Sequence, residues 1–536
     1  MTGLVSPNDV VQFRAVPYAT IPARFKKSIL LENLNDTNRD FTKPGYACPH
    51  VFSNEATSGG EHPDEPEPLS SDEFKCLIVQ VNVPLVCFQP GSNLTNLPVA
   101  VYIHGGGFHL GKINASHNTA LMVQQSVSDS KPLISISMQY RLGALGFMRT
   151  PTQETGFGFY DQRNALLWIQ KFIGGFGGDK GKITAFGESA GALSICYHML
   201  AAPPPSGPLF QRVILMSGII GPSTAPMPTA EADKNYLRLL KKLDIAEDSN
   251  DAMEQLRKLD VEKIVEASAA LTEERTTWFP VEDKDWYGQD VGNVTWDRIP
   301  ELLSICDWVN DIVLGGTGFE GVMFGALSVL TPKNFRDAIA QQVGEQNAAL
   351  VMEAYRVTPG MDHNLFLTSA AQWLGDVIFD ASTHALATYL STHTNKRVYR
   401  YIFDVRNPFI GSPLYQTTHH WVDVYFVFKT MQFRYPLQKL KDISTRHAQL
   451  WNTVTVGEEP WSRYQIKEGH EGKEIIMVAD DRDGWVERSM ADDEKMNERN
   501  WKRREVLWES WKDYWQGKWF AVTEIEPLKG KKMVGD

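Results

Sequence analysis

The stretch TAFGESAGAL, residues 184–193, sets one serine between two glycines, with a single residue on either side of it. Glycine serves where a chain must turn sharply or let another backbone come close. The residues leading in, KITAF (182–186), are short and β-rich and read as a strand. Those leading out, ALSICYHMLA (192–201), read as a helix stopped by the prolines at 203–205. Ser189 therefore stands on a strand-to-helix turn, where side chains at 187 and 191 would collide with neighbouring elements. Its hydroxyl lies at the positive end of a helix, the position of a nucleophile. The competing reading is an ordinary glycine-rich turn with a surface serine, since G-x-S-x-G also arises by chance.

Outward from that turn, short apolar runs alternate with helical patterns through the first 220 residues. LPVAVYI (97–103), LISISM (133–138) and RVILMS (212–217) read as buried strands bounded by turn residues. Between them FYDQRNALLWIQKFI carries Ala165, Ile169, Phe172 and Ile173 at helical spacing. Strands separated by helices imply an α/β protein with a mostly parallel central sheet covered on both faces. Residues 225–300 are charged and helical in pattern and read as a lid-like insertion over the sheet. The Pro/Glu-rich piece SGGEHPDEPEPLSSDEF (58–74) reads as an exposed loop within one catalytic domain spanning 1–536.

Strand 97–103 runs straight into HGGGF (104–108). Three successive glycines cost backbone entropy without adding packing. They do allow N–H groups to converge on one point, as a tetrahedral acyl intermediate with a full negative charge requires. Gly106 and Gly107 would supply two donors, and Ala190, just after Ser189, a third.

Composition narrows the class. The chain has 536 residues, 43% hydrophobic and 22% charged, with a formal net charge of −12 and no basic run. A duplex-binding protein needs a basic face, so nucleic acid is not an expected partner. No stretch reaches the roughly 20 apolar residues of a membrane span. The N-terminus lacks a signal-peptide pattern, and the polar end EPLKGKKMVGD has no lipidation cysteine. The expectation is a soluble, cytoplasmic protein. No clustered ligand spacing suggests a metal, and no organic cofactor is expected.

The segments HGGGF, YRLGALGF (140–147), GFYDQRNALLWIQKFIGGFGGD (158–179), ITAFGESAGA (183–192) and LFQRVILMSG (209–218) occur in a telling order and spacing. They resemble the type-B carboxylesterase family, the cholinesterase-like branch of the α/β-hydrolase fold, from about residue 13 to at least 465. The resemblance implies a serine carboxylester hydrolase acting on a small-molecule ester through an acyl-enzyme. Other acyl chemistries on the same site (amide, lactone or thioester cleavage, or acyl transfer) are the nearer alternative, and a non-catalytic adhesion relative the more distant one.

A serine hydroxyl needs a base, and the base an orienting acid. DIVLGGTGFEGVMF (311–324) reads as a strand over 311–314 followed by a glycine turn, and resembles the family segment whose glutamate is the acid; that places it at Glu320. TTHHWVDVYFVF (417–428) resembles the histidine segment, in which an acidic residue follows three places on and an aromatic-Val-Phe run closes. Counting back from Asp423 and Phe426–Phe428 selects His420 over His419. Trp421 stands where a small residue is usual, which implies a narrowed pocket beside the base. Ser217 matches a family serine that hydrogen-bonds close to the triad, and Arg141 reads as a buried ion-pairing residue.

YACPH around Cys48 and EFKCLIVQVNV around Cys76 resemble the segments holding the family's first disulfide. A bridge there argues for an oxidising compartment and secretion, whereas the missing leader argues for reduced thiols; both states stand open. Cys87, Cys196 and Cys306 read as buried packing residues. The family's cholinesterases hold a cationic head with a tryptophan between those first two cysteines, and 48–76 contains none. A choline ester is therefore not expected, and the aromatic content points toward a bulky apolar or aromatic ester.

Overall fold

The computed structural model of the chain describes residues 1–34, 39–52, 56–65, 70–287, 291–323, 330–466, 474–497 and 499–520. Residues 66–69 of the Pro/Glu-rich piece and the polar tail from 521 lie outside these. Among the described residues one sheet of eleven strands dominates. In chain order these are β1 (Leu4–Val5), β2 (Val10–Pro17), β3 (Ile78–Pro84), β4 (Leu97–Ile103), β5 (Ile134–Met138) and β6 (Gly178–Glu188). They continue with β7 (Arg212–Met216), β8 (Asp311–Thr317), β9 (Arg397–Asp404), β10 (Ile475–Asp480) and β11 (Gly484–Ser489). Across the sheet they lie β1-β2-β3-β5-β4-β6-β7-β8-β9-β10-β11. From β5 to β10 every pairing is parallel. The pairings at both margins are antiparallel.

The continuous apolar runs follow from burial on both faces. Along β4, Val99, Val101 and Ile103 enter one core, with Val213, Leu215, Ile312 and Leu314 of neighbouring strands. The alternate residues Ala100 and Tyr102 enter the other, with Phe186, Ile214, Met216 and Val313. A period of two thus feeds two cores from one sheet.

Two strands run further than their apolar residues suggest. β6 continues through Gly187 to Glu188, because Gly187 stays in register with Ile103 on one side and Leu215 on the other. β8 continues past Leu314 through Gly315 and Gly316 to Thr317, paired with β9. There glycine is a strand residue because neighbours crowd it: a Cβ on Gly315 would lie 2.1 Å from the Tyr401 carbonyl oxygen.

Helix α1 (Phe157–Phe172) buries Ala165 and Ile169 as its spacing predicts, and α2 (Ala190–Leu200) is buried on every side. The charged stretch after β7 forms helices Thr229–Lys242, Ala252–Lys258 and Val261–Glu273. They pack toward the start of the chain and the YRLGALGF segment. Arg24 donates to the Leu256 carbonyl at 2.7 Å, and the Ala144 amide donates to Ser268 Oγ at 3.1 Å. Later come α3 (His363–Gly375), a π-helical turn Asp376–Asp380, and α4 (Lys502–Trp515) near the chain end.

Two expectations need correction. The Pro/Glu-rich piece is not wholly exposed: Ser58 is buried, and Glu73 pairs with Arg24 at 2.7 Å with both side chains buried. Cys87 is half-buried on the short turn Leu85–Phe88, whereas Cys196 and Cys306 are buried. Arg141 is buried and paired with Asp161 through two side-chain hydrogen bonds of 2.7 and 2.8 Å, and its amide donates to the same carboxylate at 3.2 Å. Among the described residues no helix is long and apolar enough to cross a membrane.

Candidate active site

The glycines around Ser189 are spacers. A Cβ on Gly191 would lie 2.0 Å from the Ile103 carbonyl oxygen, and one on Gly187 would lie 2.6 Å from the Gly191 carbonyl carbon. The turn packs directly on the end of β4 and admits no side chain at either place. Ser189 itself adopts φ 54°, ψ −123°, a costly conformation for a residue with a Cβ. Its amide donates to the Met216 carbonyl at 2.8 Å, tying the turn to β7. A third glycine, Gly218, leaves room for the Ser189 carbonyl, which would stand 2.3 Å from a Cβ there.

The HGGGF loop leaves the neighbouring strand beside this turn. Gly106 and Gly107 have φ of 98° and 58°, which only glycine adopts freely. Gly105 is required by close packing instead, since a Cβ there would lie 2.8 Å from both a Glu188 carboxylate oxygen and the Trp421 ring. The YRLG segment anchors the loop. The Tyr140 hydroxyl donates to the His104 carbonyl at 2.8 Å, and the Gly143 amide to the Phe108 carbonyl at 2.7 Å. Among the described residues none accepts a hydrogen bond from the amides of Gly106, Gly107 or Ala190. One of these three N–H groups stands at the N-terminus of α2.

Glu320 and His420 come together from the ends of β8 and β9. His420 Nδ1 lies 2.6 Å from Glu320 Oε2, with Glu320 fully buried. An ionised carboxylate only accepts, so the Nδ1 proton is donated to it. The second oxygen, Oε1, accepts from Ser217 Oγ at 2.7 Å and from the Thr317 amide at 2.6 Å. Burial works against ionisation of Glu320, but His420, Ser217 and the Thr317 amide hold its pKa below the ordinary range. Gly316 leaves the space: a Cβ there would meet Glu320 Oε1 at 2.5 Å.

The neighbouring His419 takes a different place. Its Nε2 meets the Asn407 amide group at 2.8 Å and its Nδ1 turns to the His420 carbonyl. Burial pushes its pKa down to about 4, so it is a neutral structural residue at ordinary pH.

Sequence reasoning passed over Glu188, the residue between Gly187 and Ser189. Its buried carboxylate stands 2.9 Å from His420 Nε2, so the imidazole lies between two glutamates. Burial raises the Glu188 pKa to about 8 against the pull of His420. Burial would lower His420, but Glu188 and Glu320 outweigh it and raise it to about 10. Asp423 stands behind this group, its Oδ2 accepting from the Tyr401 hydroxyl at 3.0 Å, and burial pushes it up to about 7. The available signal was a carboxylate one residue before the nucleophile candidate, where the chain has no freedom to point it away.

Trp421 takes a left-handed conformation, φ 78°, and packs against Gly105 and edge-on to His117, with ring centres 5.2 Å apart. Its ring lies against the glycine loop. Cys48 and Cys76 are buried neighbours with free thiols: Cys48 Sγ approaches the Cys76 carbonyl at 3.8 Å. Burial first, then Cys76, pushes the Cys48 thiol well above its ordinary pKa.

The sequence model of the carboxylesterase family matches residues 3–460. Lipase 3 of Yarrowia lipolytica is 26% identical over 467 residues, covering 85% of this chain and 86% of the lipase. The para-nitrobenzyl esterase of Bacillus subtilis is 32% identical over 271 residues, 49% of this chain and 50% of that protein. A solved PNB esterase superposes with a TM-score of 0.73 at 23% identity, covering 94% of this chain and 97% of its own. The architecture is the α/β-hydrolase fold, with every element of the site at the carboxyl ends of β4, β6, β7, β8 and β9.

Proposed function

The chain belongs to the carboxylesterase family and is a serine ester hydrolase, and from that premise we propose that Ser189 is its nucleophile, His420 its base and Glu320 the acid that orients the base. The observation that carries this is the 2.6 Å contact between His420 Nδ1 and Glu320, with Nε2 on the other edge 2.9 Å from the carboxylate of Glu188, the residue before Ser189. Ser189 Oγ bonds to the ester carbonyl carbon while its proton passes to His420 Nε2. The carbonyl oxygen, now an anion, takes hydrogen bonds from the amides of Gly106, Gly107 and Ala190. The C–O bond to the alcohol then breaks, and His420 returns the proton to the departing oxygen. Water repeats the sequence on the acyl-enzyme, releasing the acid and restoring Ser189.

For the substrate we propose a small ester with a bulky apolar or aromatic group. Support comes from aromatic side chains beside the site: Trp421 against the glycine loop, and Phe108 with Phe279 at 6.0 Å. A choline ester is not proposed, since 48–76 holds no tryptophan. The helices within 229–273 are proposed to act as an insertion bordering the site, as part of one catalytic domain. Turnover of p-nitrophenyl esters graded by acyl length, with Ser189→Ala alongside, tests the reading. A preference for the bulkier acyl groups supports the substrate class, and a preference for acetyl overturns it.

A further inference from the structure

The carboxylates of Glu320 and Glu188 hold His420 by the two edges of its ring and leave the faces to be fixed by something else. One face is covered by Phe379, whose ring is stacked on the imidazole at 4.3 Å with 14° between planes. Phe379 is buried and belongs to the π-helical turn Asp376–Asp380. Such turns insert a residue into a helix and re-aim the side chains that follow. The same segment touches the acid: a Cβ on Gly375 would lie 2.7 Å from the Gly321 amide nitrogen and 3.0 Å from Glu320 Cβ. A Cβ on Gly321 would lie 1.9 Å from the Ala371 carbonyl oxygen. The end of α3 thus bears on Glu320, and the π turn that follows bears on His420.

The π turn is held from behind by α4. Asp376 accepts from Arg503 Nε at 2.6 Å, Arg504 Nε at 3.1 Å and the Tyr355 hydroxyl at 2.7 Å. Arg504 also reaches Asp380 at 3.3 Å. These charges are buried, so loss of one partner leaves another uncompensated. The pairing commits the turn to one position.

Resting on the reading of Ser189, Glu320 and His420 given above, we propose that Phe379 is a positioning residue for His420, set in place by Arg503 and Arg504 of α4 through Asp376. The aromatic face is electron-rich and favours a cation above it. His420 becomes an imidazolium as it takes the serine proton, so at alkaline pH, where the resting imidazole is neutral, the contact is strongest during transfer and acts on kcat rather than on substrate affinity.

The test compares Phe379→Leu, Phe379→Met and Phe379→Tyr, with Ser189→Ala in parallel, folding being checked by circular dichroism. Leu and Met fill apolar space without a ring, and either folded variant suffices. Measured on the alkaline plateau of the pH profile, both are expected to lose about tenfold in kcat at unchanged KM, and Tyr to restore kcat to within about twofold of the parent. Wild-type kcat in Phe379→Leu, a loss confined to KM, or a Tyr variant as slow as Leu overturns the proposal. Arg503→Lys tests the link to α4: its loss of kcat is expected not to multiply with that of Phe379→Leu in the double variant. Fully multiplied losses overturn the link. Should Ser189→Ala hydrolyse esters at the parent rate, the reading of the site fails; should it be inactive while Phe379→Leu is normal, only the role of Phe379 fails.

Discussion

Glu188 and His420 stand 2.9 Å apart, carboxylate to Nε2, on the side of the imidazole opposite Glu320. A base flanked by two acids holds its proton more tightly than one flanked by a single acid. The ionisation of each partner depends on the other, so the two titrate as a group.

A pH dependence follows. Burial lowers His420, but Glu188 and Glu320 together raise it to about 10. A histidine must be neutral to accept the Ser189 proton, so kcat/KM of the parent rises with pH through neutrality into the alkaline range. Glu188→Gln removes one of the two charges that stabilise the imidazolium. The His420 pKa therefore falls, and the acidic limb of the kcat/KM profile moves to lower pH by about one to three units. A limb that stays in place, or moves up, contradicts the assignment.

The histidine doublet separates by partner. His420→Ala removes the residue that meets Glu320, and kcat on an activated ester is expected to fall roughly 10⁴-fold. His419 meets Asn407 and the His420 carbonyl. Its replacement by Ala is expected to cost only about tenfold, about 1.4 kcal/mol of barrier, through altered packing. Rates measured on both folded variants decide it, and an inactive His419→Ala beside an active His420→Ala reverses the assignment.

Gly191 is expected to tolerate no side chain. With the Ile103 carbonyl oxygen 2.0 Å from where a Cβ would sit, Gly191→Ala must displace α2 or β4. A loss of about 3 kcal/mol is expected, read as a lowered urea midpoint together with loss of activity. An unchanged midpoint would show that the turn is looser than its geometry requires.

Cys48 and Cys76 are buried neighbours that stand here as free thiols, Cys48 Sγ lying 3.8 Å from the Cys76 carbonyl oxygen. Titration of the denatured, unreduced protein is expected to give five thiols when it is made in a reducing cytosol, from the five cysteines of the chain. Three thiols would establish the bridge, which would stabilise by about 2–4 kcal/mol.

Much of this was legible in the sequence because the constraints are local. Gly187, Ser189 and Gly191 announce a turn that no bulkier residues fit, and the short β-rich runs of β4, β5 and β7 announce buried parallel strands. The glycines of β8 misled on its end, because Gly315 signals a turn in isolation and becomes a strand residue only once Tyr401 is beside it. β2 and β3 were missed as sheet members, their antiparallel pairing being a property of partners distant in the chain. Glu188 carried a faint signal through its place in the turn. Phe379 carried none, since its contact with His420 depends on a π turn held by arginines of α4.

The role of Ser189 is open to a single decisive measurement, labelling by a fluorophosphonate, which transfers its phosphorus to an activated serine oxygen with loss of fluoride. One label per chain is expected, located by mass spectrometry on Ser189, with loss of ester hydrolysis in proportion. No label is expected in Ser189→Ala, and strongly slowed labelling in His420→Ala. A label on a different serine, or full hydrolysis remaining in Ser189→Ala, would contradict the assignment of Ser189 as nucleophile.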